Sequence, residues 1–407
     1  MSFPSPGLPT GSRAIPLLFA GLGLLSAAPA RAYENVFLTG VPDYQWHMGC
    51  FGTASGNLIG YWDRHGLPNY YTGPTAGGVA PLNSFGINNS IRALWASEAG
   101  VDGRPFTQPG HADDYYRDYE STGQDPHVVA GRPAHAPDCI GDYLGLNQLR
   151  WADLGGECRG NIDGYSFNFF DRDGHRRTNH VPLDASGTPI PDLQSGLRTW
   201  SASRGYPADS FSQLADFNPD KPAGRGFTFE DLKSEIDSGY PVLLFMQPFG
   251  FFSRIVEGQS GLNPEIHGML AYGYLIDDNG TPYVRYRTSW GSGDREFSPW
   301  TPEDWTPEQS LNLPLRGVIG FHPKPRITRI VPREGGVRVE WSGPLAVLRN
   351  DLTAVETPVH RYVVERANAL TSSAWTPVTE PAAVLSAELN DCCGDHAFLR
   401  IRLLEGP

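Results

Sequence analysis

The segment 266–291, IHGMLAYGYLIDDNGTPYVRYRTSWG, constrains the fold more than any other part of the sequence. It consists of two apolar, aromatic stretches joined at Asn279–Gly280, which is the strongest short signal for a β-hairpin. The preceding run 240–249, YPVLLFMQPF, has the length of a strand and is mostly apolar, which is typical of a central strand buried on both faces. Because a hairpin pairs its strands antiparallel, we expect an antiparallel sheet that contains this run.

Three segments predict helices beside this sheet. The clearest is 227–239, FTFEDLKSEIDSG, in which Thr228 can cap the N-terminus and Gly239 ends the pattern. Apolar residues also recur at helical spacing over 50–65, and 87–100 has a similar pattern closed by a glycine. We expect these elements to form a domain of the α+β class.

The predicted helix at 50–65 contains three glycines at intervals of four residues, Gly52, Gly56 and Gly60. Glycine weakens a helix, so their presence calls for a reason. Residues spaced by four lie along one helix face. We therefore expect another part of the chain to approach that face closely.

The composition changes at 322–326, HPKPR, which suggests a boundary between two domains. Residues 33–322 form the first predicted domain, and its stretch from 103 to 226 is rich in turn formers and predicts irregular structure. Beyond the boundary, four short alternating stretches predict strands at 327–331, 336–341, 360–367 and 397–404. We expect a small all-β sandwich over 327–407, with three aromatic residues in its core: Trp341, Tyr362 and Trp375.

Residues 1–32 have the three regions of a signal peptide: a positive start with Arg13, an apolar core at 14–30 and a small-x-small site ending at Ala32. We expect cleavage after Ala32 and a secreted, periplasmic or extracellular protein. No other segment is apolar for long enough to form a transmembrane anchor. The formal net charge of −13 at pH 7 argues against nucleic acid as a partner, because phosphates require a basic surface.

The chain has five cysteines, an odd number, so an exported protein that pairs them leaves one over. Cys139 and Cys158 lie in one loop-rich stretch and are the favoured disulfide. The adjacent Cys392 and Cys393 make a strained vicinal pair that is either reduced or the marker of a turn. Cys50 is the cysteine left over on this assignment, although a buried structural cysteine and a disulfide to Cys139 or Cys158 are the alternatives.

Cys50 stands at the start of the first predicted helix, where backbone N–H groups and the helix dipole favour a reactive thiolate. Such a nucleophile needs a base, and His267 opens the first strand of the hairpin beside the small Gly268. It also needs donors for the oxyanion, and Gln45 lies five residues before the cysteine. Each residue also has a structural reading, as a core histidine or a surface glutamine.

Three blocks resemble papain-like bacterial cysteine peptidases, in particular the domain similar to bacteriocin-processing peptidases of family thirty-nine. The first is YQWHMGCFGTASGNLIGYWDRHG at 44–66, the second HGMLAYGY at 267–274 and the third DCIGDYLG at 138–145. The resemblance covers roughly 41–305. It implies a papain-like fold, with the cysteine on an N-terminal helix and the histidine on an antiparallel sheet. The C-terminal module is similar to the fibronectin-like modules of secreted enzymes and implies contact with a cell surface or matrix.

The resemblance also implies a secreted cysteine peptidase that uses a Cys50–His267 dyad on a peptide or protein substrate. Such enzymes place an Asp or Asn after the histidine strand to orient the imidazole, and here Thr288 stands in that place. A hydroxyl can accept a hydrogen bond but stabilises an imidazolium less than a carboxylate does. The other departures are Phe51–Gly52, where Gly-Pro or Ser-Pro is frequent, and a spacing between Gln45 and Cys50 that is one residue short.

No metal and no organic cofactor are expected, since the chain lacks the HExxH, paired CxxC, P-loop and dinucleotide motifs. Histidines and aspartates cluster in the middle region, but 171–180, DRDGHRRTNH, matches calcium-loop spacing at two positions only and predicts a turn. The alternative to a peptidase is a catalytically inactive homologue that acts as an extracellular binding protein. Acyl transfer on the same dyad is a third hypothesis.

Overall fold

The fold is known from a computed structural model of the chain. The structure describes residues 33–45, 50–70, 79–83, 143–144, 170–171, 173–183, 186–187, 189, 192–219, 225–247, 249, 267–291, 296–305, 312–390 and 397–406. Several predictions from the sequence lie outside these ranges: the signal peptide at 1–32, the helix at 87–100, the ends of the 138–145 block, and Cys139, Cys158, Cys392 and Cys393.

The described residues form sixteen strands and three helices. The strands are β1 Glu34–Leu38, β2 Arg177–Thr178, β3 Ala208–Leu214, β4 Val242–Met246, β5 His267–Ile276, β6 Pro282–Arg287, β7 Glu296–Pro299, β8 Leu315–Pro323, β9 Arg326–Arg333, β10 Gly336–Ser342, β11 Val347–Asn350, β12 Val355–Pro358, β13 Arg361–Ala367, β14 Thr376–Pro377, β15 Ser386–Asn390 and β16 Phe398–Leu404. The helices are α1 Cys50–Arg64, α2 Leu193–Ser203 and α3 Phe229–Asp237. All of these strands pair antiparallel, which confirms the α+β class.

The largest sheet of the described chain has ten strands in the order β12-β11-β1-β5-β4-β8-β3-β2, with β6 paired to β5 and β7 paired to β6. Strand β4 is buried at all five positions, as expected for a central strand. The first half of β5 pairs with β4 and its second half with β1. Helix α1 packs on β5, so the two elements predicted to carry the cysteine and the histidine are in contact.

Local signals explain α3 and the hairpin. The Thr228 hydroxyl accepts from the backbone N–H of Asp231, whose carboxylate accepts from the N–H of Thr228, and Gly239 follows the helix with a positive φ of 90°. In the hairpin, the carboxylate of Asp277 accepts from two backbone N–H groups of the turn, and Gly280 has a φ of 81°. The predicted cap, helix end and hairpin turn are confirmed.

Helix α1 is buried from Cys50 to Asp63, so it runs through the core rather than along the surface. At Gly60 a Cβ would lie 2.5 Å from the hydroxyl of Tyr44 and 3.1 Å from Cγ of Pro42. Only glycine permits this contact, which confirms the predicted close approach for that position. None of the three helices in the described ranges is long and apolar enough to cross a membrane.

The prediction of irregular structure over 103–226 is wrong for its last part, where α2 and β3 form. The Asp192 carboxylate caps α2 by accepting from the backbone N–H of Ser195 at 2.7 Å. The sequence of β3, ADSFSQL, has more polar than apolar residues, yet its last five positions are buried because it pairs with β8 and α2 packs on it. Tertiary burial decides these elements, and their own sequences signal them weakly.

The C-terminal residues form two three-stranded sheets, β15-β10-β9 and β14-β13-β16, around a second apolar cluster. Trp341 and Tyr362 lie in that cluster, as predicted. Trp375 does not: it is partly exposed beneath the guanidinium of Arg400, 4.4 Å from the ring centroid. The module is also not continuous over 327–407, because β11 and β12 leave it and extend the first sheet through β1. Pairing with β11 covers an edge that β1 would otherwise expose.

Candidate functional site

Cys50 is the first residue of α1, its side chain is almost fully buried at 5% exposure, and it forms no disulfide with another described residue. The next residue, Phe51, packs its ring against Gly268, where a Cβ would overlap the ring. The same ring lies 5.2 Å from that of Phe245 on β4. Since Cys50 precedes Phe51 and His267 precedes Gly268, the predicted nucleophile and base flank one contact between α1 and β5.

His267 is held by the segment that follows β6. Its Nε2 lies 2.7 Å from the carbonyl oxygen of Thr288, and its ring stacks on that of Trp290 with centroids 4.8 Å apart and planes 9° apart. A carbonyl oxygen can only accept, so Nε2 carries the hydrogen in the neutral imidazole. Nδ1 then carries the lone pair, which is the atom a general base uses.

Burial lowers the pKa of His267 to about 4, and the hydrogen bond to the Thr288 carbonyl opposes that shift without cancelling it. The side chain is 1% exposed, and no carboxylate of the described chain contributes to its pKa. A charged imidazolium is therefore disfavoured at this position. At neutral pH the site therefore holds a neutral imidazole, whose Nδ1 can accept a proton from a neighbouring acid.

Thr288 contacts the histidine through its main chain and not, as the sequence suggested, through its hydroxyl. The Thr288 hydroxyl accepts from the backbone N–H of Trp290 at 3.2 Å, which shapes the turn. The Ser289 hydroxyl donates to the carbonyl of Gly268 at 2.7 Å. Ser289 itself has a left-handed φ of 68°. The turn is thus fixed to β5 at the residue after the histidine.

Gln45 reaches the same turn from the other side. A Cβ at Gly291 would lie 2.6 Å from both the backbone N and the Cα of Gln45, so the two backbones are in direct contact. The preceding residue, Tyr44, is anchored to α1 because its N–H donates to the Asn57 side chain at 2.9 Å. Gln45 itself is exposed. Residues 46–49, which connect it to Cys50, lie outside the described chain.

The four predicted site residues therefore lie on three adjoining segments: Cys50 on α1, His267 on β5, and Gln45 with Thr288 at the turn after β6. Sequence reasoning missed two contributors, Ser289 and Trp290. Their signal was the TSWG motif that ends the predicted hairpin, but nothing in it shows which atom of Thr288 faces the imidazole.

A further residue beside the site was also missed. Gln247 follows Met246, the β-sheet partner of His267, and is completely buried. In the described chain its backbone N–H bonds to the Pro314 carbonyl at 3.1 Å, whereas neither side-chain amide atom has a hydrogen-bond partner. A buried amide without partners costs about 1–3 kcal/mol, so this side chain adds unsatisfied polar atoms next to the strand position that pairs with His267.

The 171–180 segment contains the turn that the sequence predicted. The backbone N–H of Asp173 donates to the Asp171 carboxylate at 2.8 Å, and that of Gly174 to the Asp171 carbonyl at 3.0 Å. Ligand atoms of Asp171, Asp173 and His175 lie within 4.8 Å of one another. The turn brings Asp173 to Asp171, and His175 Nδ1 lies 3.5 Å from the Asp171 carboxylate.

Comparison of the chain with protein-family models, with curated proteins and with solved structures found no match.

Proposed function

We propose that the protein is a cysteine-type hydrolase of peptide bonds with a papain-like domain, in which Cys50 is the nucleophile and His267 the general base. The observation that carries this proposal is the bond from His267 Nε2 to the Thr288 carbonyl. It sets the tautomer in which Nδ1 accepts a proton, next to the contact between α1 and β5 where Cys50 lies.

In the proposed reaction, His267 Nδ1 takes the thiol proton as the sulfur of Cys50 attacks the carbonyl carbon of the scissile bond. The resulting oxyanion accepts hydrogen bonds from the Cys50 backbone N–H and the Gln45 side chain. When the carbon–nitrogen bond breaks, the amine leaves with the proton held by His267. Water then attacks the thioester, with His267 again as the base, and releases the acid and the thiol.

Orientation of His267 by a main-chain carbonyl, and not by a carboxylate, affects the rate of the reaction and not its type. A carbonyl dipole aligns the imidazole as an amide side chain does, but it offers less stabilisation to the imidazolium that forms in each transition state than a carboxylate offers. Burial adds to this cost. We therefore expect a slower enzyme than one with a carboxylate at this position.

The second candidate is an inactive homologue that binds an extracellular ligand. The burial of His267 at 1% exposure and its lowered pKa favour this alternative, because a base that resists protonation is a poor proton carrier. In either case the proposal includes export by residues 1–32, and attachment to a surface or matrix through the C-terminal sheets.

Alkylation of Cys50 by iodoacetamide separates the two candidates. The labelling of Cys50 in the full chain is followed by peptide mass spectrometry at several pH values. We expect His267→Ala to slow this labelling at pH 7 by at least about tenfold. His175→Ala is the matched control, since its side chain is 69% exposed, and it should label as the wild type does. An inert Cys50, or equal rates with and without His267, would exclude the hydrolase and leave the binding protein.

A further inference from the structure

A cavity of about 490 Å³ lies between the chain that follows β1 and the strands β6, β11 and β12. Its lining combines apolar side chains, among them Leu38, Val41 and Leu82, with the charged Arg285, Arg287, Arg349 and Glu356. We call it the arginine pocket. Three arginines against one glutamate give its lining the opposite sign to the whole chain, whose net charge is −13.

Aromatic rings fix two of the three arginines in place, Arg285 and Arg287. The guanidinium of Arg285 lies 3.7 Å from the ring centroid of Phe37, and that of Arg287 lies 4.8 Å from the ring centroid of Tyr272. A guanidinium held over an aromatic ring still presents its N–H groups at its edge. Those groups can donate to both oxygens of a planar carboxylate. Such arginines are pre-organised, so little side-chain entropy is lost when a ligand binds.

Two of these arginines keep N–H groups for a ligand. Arg287 donates to the Val41 carbonyl at 3.0 Å and lies 3.7 Å from the Asp43 carboxylate. Arg349 lies 3.3 Å from Asp351 and 3.6 Å from Glu356. A direct hydrogen bond to a charged oxygen is about 2.7–2.9 Å long, so these ion pairs are loose. With five N–H groups on each guanidinium, both can bind a further carboxylate.

The arginine pocket adjoins the candidate site through two chain segments. Arg287 directly precedes Thr288, and Val41 is four residues before Gln45. Four residues span at most about 14 Å, so the wall at Val41 is within about 14 Å of Gln45. An extended polypeptide needs about four residues to cover the distance from Gln45 to that wall.

We propose that the arginine pocket binds a carboxylate side chain of the substrate polypeptide, with Arg287 and Arg349 as donors and a neighbouring apolar side chain on Leu38, Val41 and Leu82. This inference rests on the proposed peptidase function and adds a substrate preference to it. Glu356, together with Asp43 and Asp351 behind the arginines, limits the positive charge. A singly charged carboxylate therefore fits better than a doubly charged phosphate.

The test is the binding of two matched peptides to the full chain carrying Cys50→Ala, which cannot turn them over. By calorimetry at low ionic strength, N-acetyl-leucyl-aspartyl amide should bind at least about tenfold more tightly than N-acetyl-leucyl-asparaginyl amide. Arg287→Gln and Arg349→Gln should each reduce this preference to less than about twofold. Arg338→Gln, on the C-terminal sheets, is the control and should keep it.

Equal affinity for the two peptides in the parent chain would overturn the proposal, as would a preference that survives both arginine substitutions. Because no catalysis is involved, the result is independent of the alkylation of Cys50. A reactive Cys50 without the peptide preference rejects the arginine pocket alone. If the chain prefers the aspartyl peptide but Cys50 is inert to alkylation, the peptidase function is rejected and the arginine pocket remains a carboxylate site.

Discussion

His267 donates a hydrogen bond from Nε2 to the main-chain carbonyl of Thr288 at 2.7 Å. The residue that aligns the candidate base therefore does so with an atom that every amino acid possesses. A threonine at the position where the resemblance to papain-like peptidases implies an Asp or Asn does not by itself remove the orienting contact. Activity therefore depends less on which side chain residue 288 has than on whether a buried, neutral histidine can carry a proton.

The side chain of Thr288 is expected to be dispensable for the reactivity of Cys50. In Thr288→Ala the carbonyl that holds His267 remains, and only the hydrogen bond from the Trp290 N–H is lost, at a cost of about 1 kcal/mol of stability. The alkylation rate of Cys50 at pH 7 should stay within about twofold of the wild-type rate. A decrease as large as that of His267→Ala would show that the hydroxyl, not the carbonyl, orients the base.

His267 should titrate with a pKa of about 4, well below the usual value of about 6.5, because burial disfavours its charged form. Imidazole chemical shifts followed by NMR between pH 3 and 8 measure this directly. Trp290→Ala removes the ring stacked on the imidazole, admits water and should raise the pKa toward 6.5. A wild-type pKa near 6.5 would contradict the burial argument.

Three histidines, the fully buried His267 and His360 and the partly buried His65, make the fold sensitive to acid. Burial lowers the pKa of His65 to about 4, of His267 to about 4 and of His360 to about 3, whereas in the unfolded chain each is about 6.5. Below pH 6.5 the unfolded state binds protons that the folded state does not, so stability falls as the pH drops from 6.5 toward 4. Each histidine should lower the free energy of unfolding by about 2 kcal/mol between pH 7 and pH 5.

Asp192 acts in the opposite direction, because burial raises its pKa to about 6 and its protonated form is the more stable one in the fold. Between pH 7 and pH 5 its effect on the free energy of unfolding is smaller than the combined effect of the three histidines. Urea unfolding of His360→Asn should therefore show a loss between pH 7 and pH 5 that is smaller than the wild-type loss by about 2 kcal/mol. The exposed His175, replaced by alanine, should leave the pH dependence unchanged. A wild-type stability that does not change with pH would contradict this account.

Gly268→Ala should separate α1 from β5, because the added methyl overlaps the ring of Phe51. Overpacking of this kind costs about 1–3 kcal/mol, measured as a lower unfolding midpoint in denaturant. Replacing the ring in Phe51→Leu makes room for the methyl. The double variant should therefore lose less stability than the sum of the single variants. Strictly additive losses would show that Phe51 and Gly268 do not form the contact between α1 and β5.

The elements that the sequence predicted well carry their own local signals. Thr228 and Gly239 mark the two ends of α3, and Asn279–Gly280 marks the hairpin turn, because capping and turn geometry depend on residues close in sequence. The start of α1 at Cys50 belongs to the same group. The grouping of Gln45, Thr288 and His267 near that start is consistent with the motifs, although the motifs do not give the contacting atoms.

The parts that were missed depend on partners far away in the chain. Strand β11 joins the first sheet only because β1 offers an unpaired edge, and β3 is buried by β8 and α2 although its own sequence is mostly polar. Neither fact can be read from the strand itself. The same holds for Thr288: its sequence position suggested an orienter, but the left-handed turn at Ser289 decides that the carbonyl, not the hydroxyl, faces the imidazole.

The most direct test of the central claim is cleavage of a peptide pool. A proteolytic digest of casein offers many sequences at once, so incubation with the full chain reports hydrolysis whichever peptide is the substrate, and mass spectrometry reads the new termini. We predict new termini with the wild type, none above background with Cys50→Ala, and a yield lower by about a hundredfold or more with His267→Ala. Identical peptide profiles for the wild type and Cys50→Ala would contradict the assignment of Cys50 and His267 as a hydrolytic pair.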